Sequence, residues 1–230
     1  MPTKPAISGS DRDRVIKAVA EHTHTLLGLT IGFDEHDWAE PSRLPQWTRS
    51  HVAAHLIANA QAMLRAYEGL DRGIEVLLYP SKRTRQLEIE LGALAAGLEL
   101  QVALDESAGL LQHRFTDELV PDQVVLLSPD WVVPAEELPL LRLREIVLHT
   151  FDINPAATGL QLEQDLADLL LAQECRRLPD PTTTLIADEG YNYQAAPGAQ
   201  RRVLRGPSAD LLLWLARGSQ SNKVTVETTP

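Results

Sequence analysis

Two pairs of residues, each with its members four positions apart, are the side chains of this sequence best suited to chemistry. His51 and His55 lie in WTRSHVAAHLIANA, residues 47–60, and Glu145 and His149 lie in LRLREIVLHTFDI, residues 141–153. Residues four apart lie on the same face of an α-helix, so either pair has the spacing to supply two ligands to one metal ion.

The second pair continues an apolar stripe. On a helical wheel Glu145, His149 and Asp152 fall on the same side as Leu138 and Leu141. A carboxylate beside leucines is costly to bury unless it is paired or binds a cation. Glutamate and histidine at this spacing are also common on ordinary helices, so the pattern alone leaves a metal site and a structural role both open. Asp152 is equally consistent with orienting a ligand imidazole and with ending its helix.

The same helical-wheel argument distinguishes between His51 and His55. The helix that contains it has an apolar seam of Val52, Leu56, Asn59 and Met63. His55 lies about 60° from Val52 and His51 about 100° from it, so His55 is the better candidate to face the interior. His55 with Glu145 and His149 would form a set of two histidines and one carboxylate, which suits zinc or iron(II) and leaves positions for substrate or water.

The first two-thirds of the chain must position these residues, and its pattern is helical. We expect helices over 10–33, 48–69 and 81–119, the last interrupted near 92–97, and a fourth over 135–153. The proline-rich stretch 121–137 is expected to be irregular or briefly extended. Four helices with connectors of very unequal length predict a four-helix bundle with a long crossover.

The remainder of the chain changes character. It contains two candidate helices, over 162–178 and 207–217, and candidate strands over 182–189, 200–206 and 223–228. The sequence therefore predicts an α+β protein with a bundle domain over 1–158 and a small α/β domain over 159–230.

Composition excludes several classes of function. The net charge of −11 disfavours a nucleic-acid or anionic-membrane partner. The single cysteine, Cys175, rules out an intramolecular disulfide and a cysteine-based zinc site, and it is expected to be an ordinary helix residue. No apolar run has the length of a signal peptide or a membrane span, so we expect a cytoplasmic protein, and a monomer.

Three stretches carry a resemblance to a known family. PQWTRSHVAAHLIANAQAM, LRLREIVLHTFDI and LLLWLARGSQ, with AAPG before the last of these, occur in this order along most of the chain. Together they resemble the mycothiol-dependent maleylpyruvate isomerase family. The resemblance implies an N-terminal DinB-like four-helix bundle and a smaller C-terminal α/β domain that contributes to the active site.

The resemblance also implies roles for particular residues. The family's metal triad falls on His55, Glu145 and His149, with zinc the usual ion and His51 beside the triad. The functionally important C-terminal arginine of the family falls on Arg217.

A second arginine matches the bundle of the family. Arg85 corresponds to an arginine that would meet the substrate carboxylates or the cofactor, with the neighbouring Arg83 as the alternative. The sequence does not decide between these two arginines.

The implied reaction is the conversion of maleylpyruvate to fumarylpyruvate in aromatic degradation by the gentisate pathway. A thiolate adds to the conjugated double bond, rotation follows, and elimination restores the bond in the trans form. The implied partners are therefore a small anionic substrate and a low-molecular-weight thiol, mycothiol. A thiol S-transferase using mycothiol, ergothioneine or glutathione, and a non-catalytic zinc-binding regulator, are the alternatives.

Overall fold

The computed structural model describes residues 9–120, 122–129, 131–176, 178, 180, 182–195, 201–218 and 221–228. The chain divides into two compact units, Met1–Pro155 and Ala156–Pro230. The division falls close to the boundary that the sequence places between residues 158 and 159.

The first unit contains six α-helices among its described residues. They are α1 (Gly9–Thr30), α2 (Glu35–Ala39), α3 (Arg49–Asp71), α4 (Lys82–Gly92), α5 (Gly97–Arg114) and α6 (Leu138–Ile153). Both α1 and α3 pack against α5 and α6, which closes a ring of four long helices, and α4 packs on α3. The predicted four-helix bundle is therefore present, and the predicted break in the third helix separates α4 from α5.

The core of the bundle is formed by the apolar helix faces that the helical periodicity of the sequence predicts. Five of its large side chains are at most 1% exposed: Leu26, Leu56, Met63, Leu104 and Leu138. Burying one such side chain stabilises a fold by about 1.5–3 kcal/mol. The seam of α3 and the leucine stripe of α6 both belong to this core, so the polar residues on the same faces must also point inward.

The connector after α1 contains a short helix that the periodicity does not predict. Asp34 caps α2 by accepting a hydrogen bond from the Asp37 N–H, and the Asp37 side chain accepts one from the Asp34 N–H, at 2.8 and 3.1 Å. Trp38 of this helix is buried against the start of α5, where a Cβ on Gly97 would lie 2.4 Å from the indole. Capping rather than periodicity is thus the sequence signal for α2.

The crossover between α5 and α6 is a β-hairpin, so of the two structures expected for this stretch the extended one is present. Strands β1 (Val124–Ser128) and β2 (Trp131–Pro134) pair antiparallel, and a 3-10 turn at Ala135–Glu137 leads into α6. The Leu78 N–H donates to the Leu126 carbonyl oxygen at 2.7 Å, which fastens the segment before α4 to this hairpin. The hairpin therefore holds the connecting segment between α3 and α4 in place.

The second unit is a small sheet with two helices. Helix α7 (Gln164–Cys175) packs on α8 (Ser208–Arg217), and α8 packs on strands β3 (Thr183–Ala187) and β5 (Arg202–Gly206). With β4 (Asn192–Tyr193) and β6 (Thr225–Thr228) the strand order is β4-β3-β5-β6, parallel only between β3 and β5.

The α+β class predicted from the sequence is confirmed by these two units. Strand β4 lies outside the three strands that the sequence predicts, and most of the AAPG stretch lies outside the described residues. None of the described helices has both the length and the apolarity needed to cross a membrane.

Candidate metal centre

His55 lies on α3 and faces the bundle interior. Its side chain is buried, in line with its place next to the apolar seam of Val52 and Leu56. His55 Nε2 lies 2.8 Å from Glu145 Oε2, so the imidazole meets a carboxylate from α6 across the bundle.

The His51 side chain caps the N-terminus of α3. Its Nδ1 accepts a hydrogen bond from the Thr48 N–H at 3.2 Å and lies 2.8 Å from the Thr48 hydroxyl. Because Nδ1 accepts a backbone N–H, the ring proton is on Nε2, which lies 3.4 Å from Glu90 Oε2. Both ring nitrogens are therefore engaged in capping α3 and contacting α4.

Glu145 and His149 meet His55 from α6. His149 Nε2 lies 3.4 Å from the same Glu145 Oε2 that contacts His55, and the two imidazole rings are 4.6 Å apart between centroids. One donor atom from each of the three residues lies within 4.8 Å of the other two. The structure thus brings together the three residues that the sequence singles out.

Charged neighbours hold each member of this cluster. Asp152 Oδ2 lies 2.8 Å from His149 Nδ1, on the side of the ring away from Glu145. Arg144 Nη1 donates to Glu145 Oε1 at 2.8 Å, which leaves Oε2 to the histidines. Of the two roles open for Asp152, orientation of the His149 ring is the one its position supports.

The environment separates the pKa values of the two histidines. Burial, aided by the positive charges of His149 and Arg85, lowers the pKa of His55 to about 4, although the hydrogen bond and the charge of Glu145 oppose this shift. Burial acts in the same direction on His149, but Asp152 and Glu145 outweigh it and raise the pKa of His149 above its ordinary value. His55 is therefore neutral near pH 7 and ready to bind a cation.

Glu145 is the charged member of the cluster. Burial by itself raises the pKa of a carboxyl group, but hydrogen bonds from His149 and His55 hold the pKa of Glu145 well below its ordinary value. A carboxylate that is 19% exposed and surrounded by nitrogen donors supplies the negative charge that a divalent cation needs.

Trp47 forms a wall of the cluster. Its ring centroid lies 5.7 Å from that of His55 and 6.5 Å from that of His149, nearly parallel to the latter ring. The preceding residue, Gln46, has a φ of 67°, in the left-handed region that side-chain-bearing residues rarely adopt. The sequence suggests only packing for Trp47, whereas the structure places its indole against two candidate ligands.

One known family matches most of the first unit. The family described as mycothiol maleylpyruvate isomerase N-terminal domain matches residues 19–154. The chain belongs to this family. The matched range is more than half of the chain and contains His55, Glu145 and His149.

Two solved structures are similar to the chain over nearly its whole length. The mycothiol-dependent maleylpyruvate isomerase is 26% identical with a TM-score of 0.81, covering 97% of this chain and 95% of its own. A variant of that isomerase with one histidine replaced by alanine gives the same identity and coverage with a TM-score of 0.80. No curated protein matches the sequence.

The two candidate arginines of the bundle occupy different positions. Arg85 Nη2 lies 3.1 Å from His55 Nδ1 and 3.5 Å from His55 Nε2, and its guanidinium lies over the ring of Tyr79. Arg83 is exposed on α4. Of these two arginines, Arg85 is the one that contacts the cluster.

Arg217 lies in the second unit. It is the last residue of α8, and its Nη1 donates to the Ala216 carbonyl oxygen at 3.0 Å. Its role stays a prediction from the family resemblance.

Several polar residues near the cluster carry no sequence signal of their own. Arg142, 1% exposed, donates to the Leu56 carbonyl oxygen and to Asn59 Oδ1, both at 2.8 Å. Asn59 Nδ2 in turn donates to Tyr79 Oη at 3.2 Å. Only the placement of Asn59 on the apolar seam hints at this network in the sequence.

Proposed function

We propose that this protein is a metal- and thiol-dependent cis–trans isomerase that converts maleylpyruvate to fumarylpyruvate with mycothiol. The observation that carries the proposal is the buried cluster of His55, Glu145 and His149 in a chain of the maleylpyruvate isomerase family. The alternatives are a thiol S-transferase and a non-catalytic zinc-binding regulator, and the test below separates them from the isomerase.

The donor set fits a divalent metal, with zinc the first choice. Two imidazoles and one carboxylate are three ligands, which is the number that leaves a catalytic zinc with an open position. The nitrogens of both histidines lie around one oxygen of Glu145, so a cation would replace hydrogen bonds that already converge. A bound zinc would favour the thiolate form of a thiol at neutral pH.

The chain's own residues prepare this donor set. Asp152 holds His149 by Nδ1, which leaves Nε2 as the ligand nitrogen. Arg144 engages the outer oxygen of Glu145 and so keeps the carboxylate turned toward the histidines. These contacts order the ligands before a metal arrives.

The chain's own cysteine is a poor candidate for the nucleophile. Burial raises the pKa of Cys175, the single cysteine, to about 12, so its thiol is not ionised at neutral pH. The cofactor thiol would supply reversible addition to the conjugated double bond, which can rotate while it is single. A low-molecular-weight thiol is therefore consistent with the inert state of Cys175.

Arginines are proposed to bind the substrate anion. Arg85 lies beside His55 at the candidate centre, and a guanidinium binds a carboxylate through paired charge-assisted hydrogen bonds. Arg217 is proposed to stabilise the developing enolate, on the strength of the family resemblance.

A coupled measurement tests the proposal. The purified protein should contain about one zinc per chain and should convert maleylpyruvate to fumarylpyruvate only when mycothiol is added. Arg217→Ala should lower kcat/KM by about 10²- to 10³-fold, the usual effect of losing one group that stabilises an oxyanion. Arg205→Ala is the matched control, because Arg205 is a half-exposed arginine of the same unit paired with Glu227.

Three outcomes would each contradict a part of this proposal. A thioether product from other electrophiles, without isomerisation, would identify a thiol S-transferase. Turnover with ergothioneine or glutathione but not mycothiol would change the cofactor. Metal binding without thiol-dependent turnover would favour a regulatory role.

A further inference from the structure

A directional chain of hydrogen bonds leads from the bundle core to the candidate metal centre. Arg142 donates to Asn59 Oδ1 at 2.8 Å, and Asn59 Nδ2 donates to Tyr79 Oη at 3.2 Å. The Arg85 guanidinium lies over the Tyr79 ring, with its carbon 5.5 Å from the ring centroid.

The chemistry of arginine fixes the direction of every bond in this chain. A guanidinium has only donors, so Asn59 must turn its oxygen toward Arg142 and its NH2 toward Tyr79. Arg85 can likewise only donate. Asn59 Nδ2 is therefore the donor to Tyr79 Oη, and the phenolic proton points away from Asn59.

The phenol is held beside the metal cluster. Asn59 follows His55 by one turn of α3, and Arg85 contacts both ring nitrogens of His55. The segment that carries Tyr79 is fastened by the bond from the Leu78 N–H to the Leu126 carbonyl oxygen. Tyr79 is half-buried, and its hydroxyl is held by the hydrogen bond from Asn59.

We infer that the Tyr79 O–H and the Arg85 guanidinium form one oxyanion-binding pair that takes a carboxylate or enolate oxygen of the substrate, with Asn59 and Arg142 as positioning residues. The inference rests on the proposed function for the identity of the substrate but not for the anion site itself. Burial raises the pKa of Tyr79, so the phenol keeps its proton at neutral pH and donates rather than repels.

Binding of maleate, a small cis-dicarboxylate, to the zinc-loaded full chain tests the pair by calorimetry without any thiol. Tyr79→Phe removes only the hydroxyl and should weaken maleate binding roughly 10- to 100-fold, the usual loss for a hydrogen bond to a charged group. Tyr67→Phe is the control, since Tyr67 is a buried tyrosine of α3 next to Phe115. Zinc content and the thermal unfolding midpoint should stay the same in both variants.

Asn59→Asp tests the direction of the chain. An aspartate still accepts from Arg142 but would also accept the phenolic proton, which turns Tyr79 away from the substrate. The single variant should lose affinity as Tyr79→Phe does, and the double variant should be no weaker than Tyr79→Phe alone. The kcat/KM for maleylpyruvate should follow the same pattern.

The outcomes separate the alternatives. A full additional loss in the double variant would show that the carboxylate introduced by Asn59→Asp merely repels the anion, and would overturn the positioning role. Unchanged affinity in Tyr79→Phe, or no maleate binding by the wild-type chain, would overturn the pair itself. Maleate binding that depends on Tyr79, in a protein that does not isomerise maleylpyruvate, would keep the pair and reject the proposed reaction.

Discussion

Replacement by alanine should affect the two histidines of α3 differently: His51→Ala should lower the stability of the fold, and His55→Ala should lower the zinc affinity. His51 accepts the Thr48 N–H at 3.2 Å, so its loss removes a helix cap, which costs about 0.5–2 kcal/mol of unfolding free energy. His55 is one of three candidate ligands. Four-ligand zinc sites bind with about 10–16 kcal/mol, or about 2.5–4 kcal/mol per ligand. His55→Ala should therefore weaken zinc binding roughly 10²- to 10³-fold.

Competition with a chromophoric chelator measures the zinc affinity, and urea unfolding of the metal-free protein measures the stability. We expect His51→Ala to bind zinc within about threefold of the wild type, a change of less than 1 kcal/mol, while its unfolding free energy falls by the cost of the cap. Equal loss of zinc in the two variants would refute the division between a capping histidine and a ligand.

Three further predictions follow from the charges around the cluster. As pH falls from 6.5 to 5, His55 becomes protonated in the unfolded chain but not in the folded chain, where its pKa is near 4. The metal-free protein should therefore lose up to about 1.4 kcal/mol of unfolding free energy per pH unit. In His55→Gln this pH dependence should be absent from urea unfolding, and an unchanged dependence would contradict the prediction. Arg85→Gln removes a cation 3.1 Å from His55 and should tighten zinc binding while raising KM for maleylpyruvate, and weaker binding in the chelator assay would argue against the contact. Asp152→Asn should weaken zinc binding by about 10- to 100-fold, the usual effect of losing a residue that orients a ligand, and equal affinity would mean that Asp152 only ends its helix.

The elements of the bundle were largely predictable because their signals are local. The seam of α3 and the leucine stripe of α6 place His55, Glu145 and His149 on inward faces from spacing alone. Gly92 and Gly97 mark the break between α4 and α5, as the structure has it. The exception is α2, whose five residues are too few for a period and are specified by the Asp34 cap instead.

The hairpin was harder to predict because one of the contacts that hold it comes from a distant segment. Strand β1 pairs with β2 nearby, but the bond from Leu78 to Leu126 joins segments almost fifty positions apart. Short extended stretches gain their stability from such contacts rather than from intrinsic propensity, so the sequence of 121–137 alone left an irregular and a briefly extended connector both open.

The sequence by itself determined which side chains face the core, because helical periodicity and burial are properties of one segment at a time. It therefore selected His55 over His51 and put Glu145 and His149 on one face. Only the tertiary structure decided how these residues meet. It also decided that Asn59, the polar residue on the apolar seam of α3, joins Arg142 and Tyr79 in one directional chain of hydrogen bonds. The physical reason is that hydrogen bonds and ion pairs across a bundle depend on ångström-scale packing between helices, which no single stretch of sequence encodes.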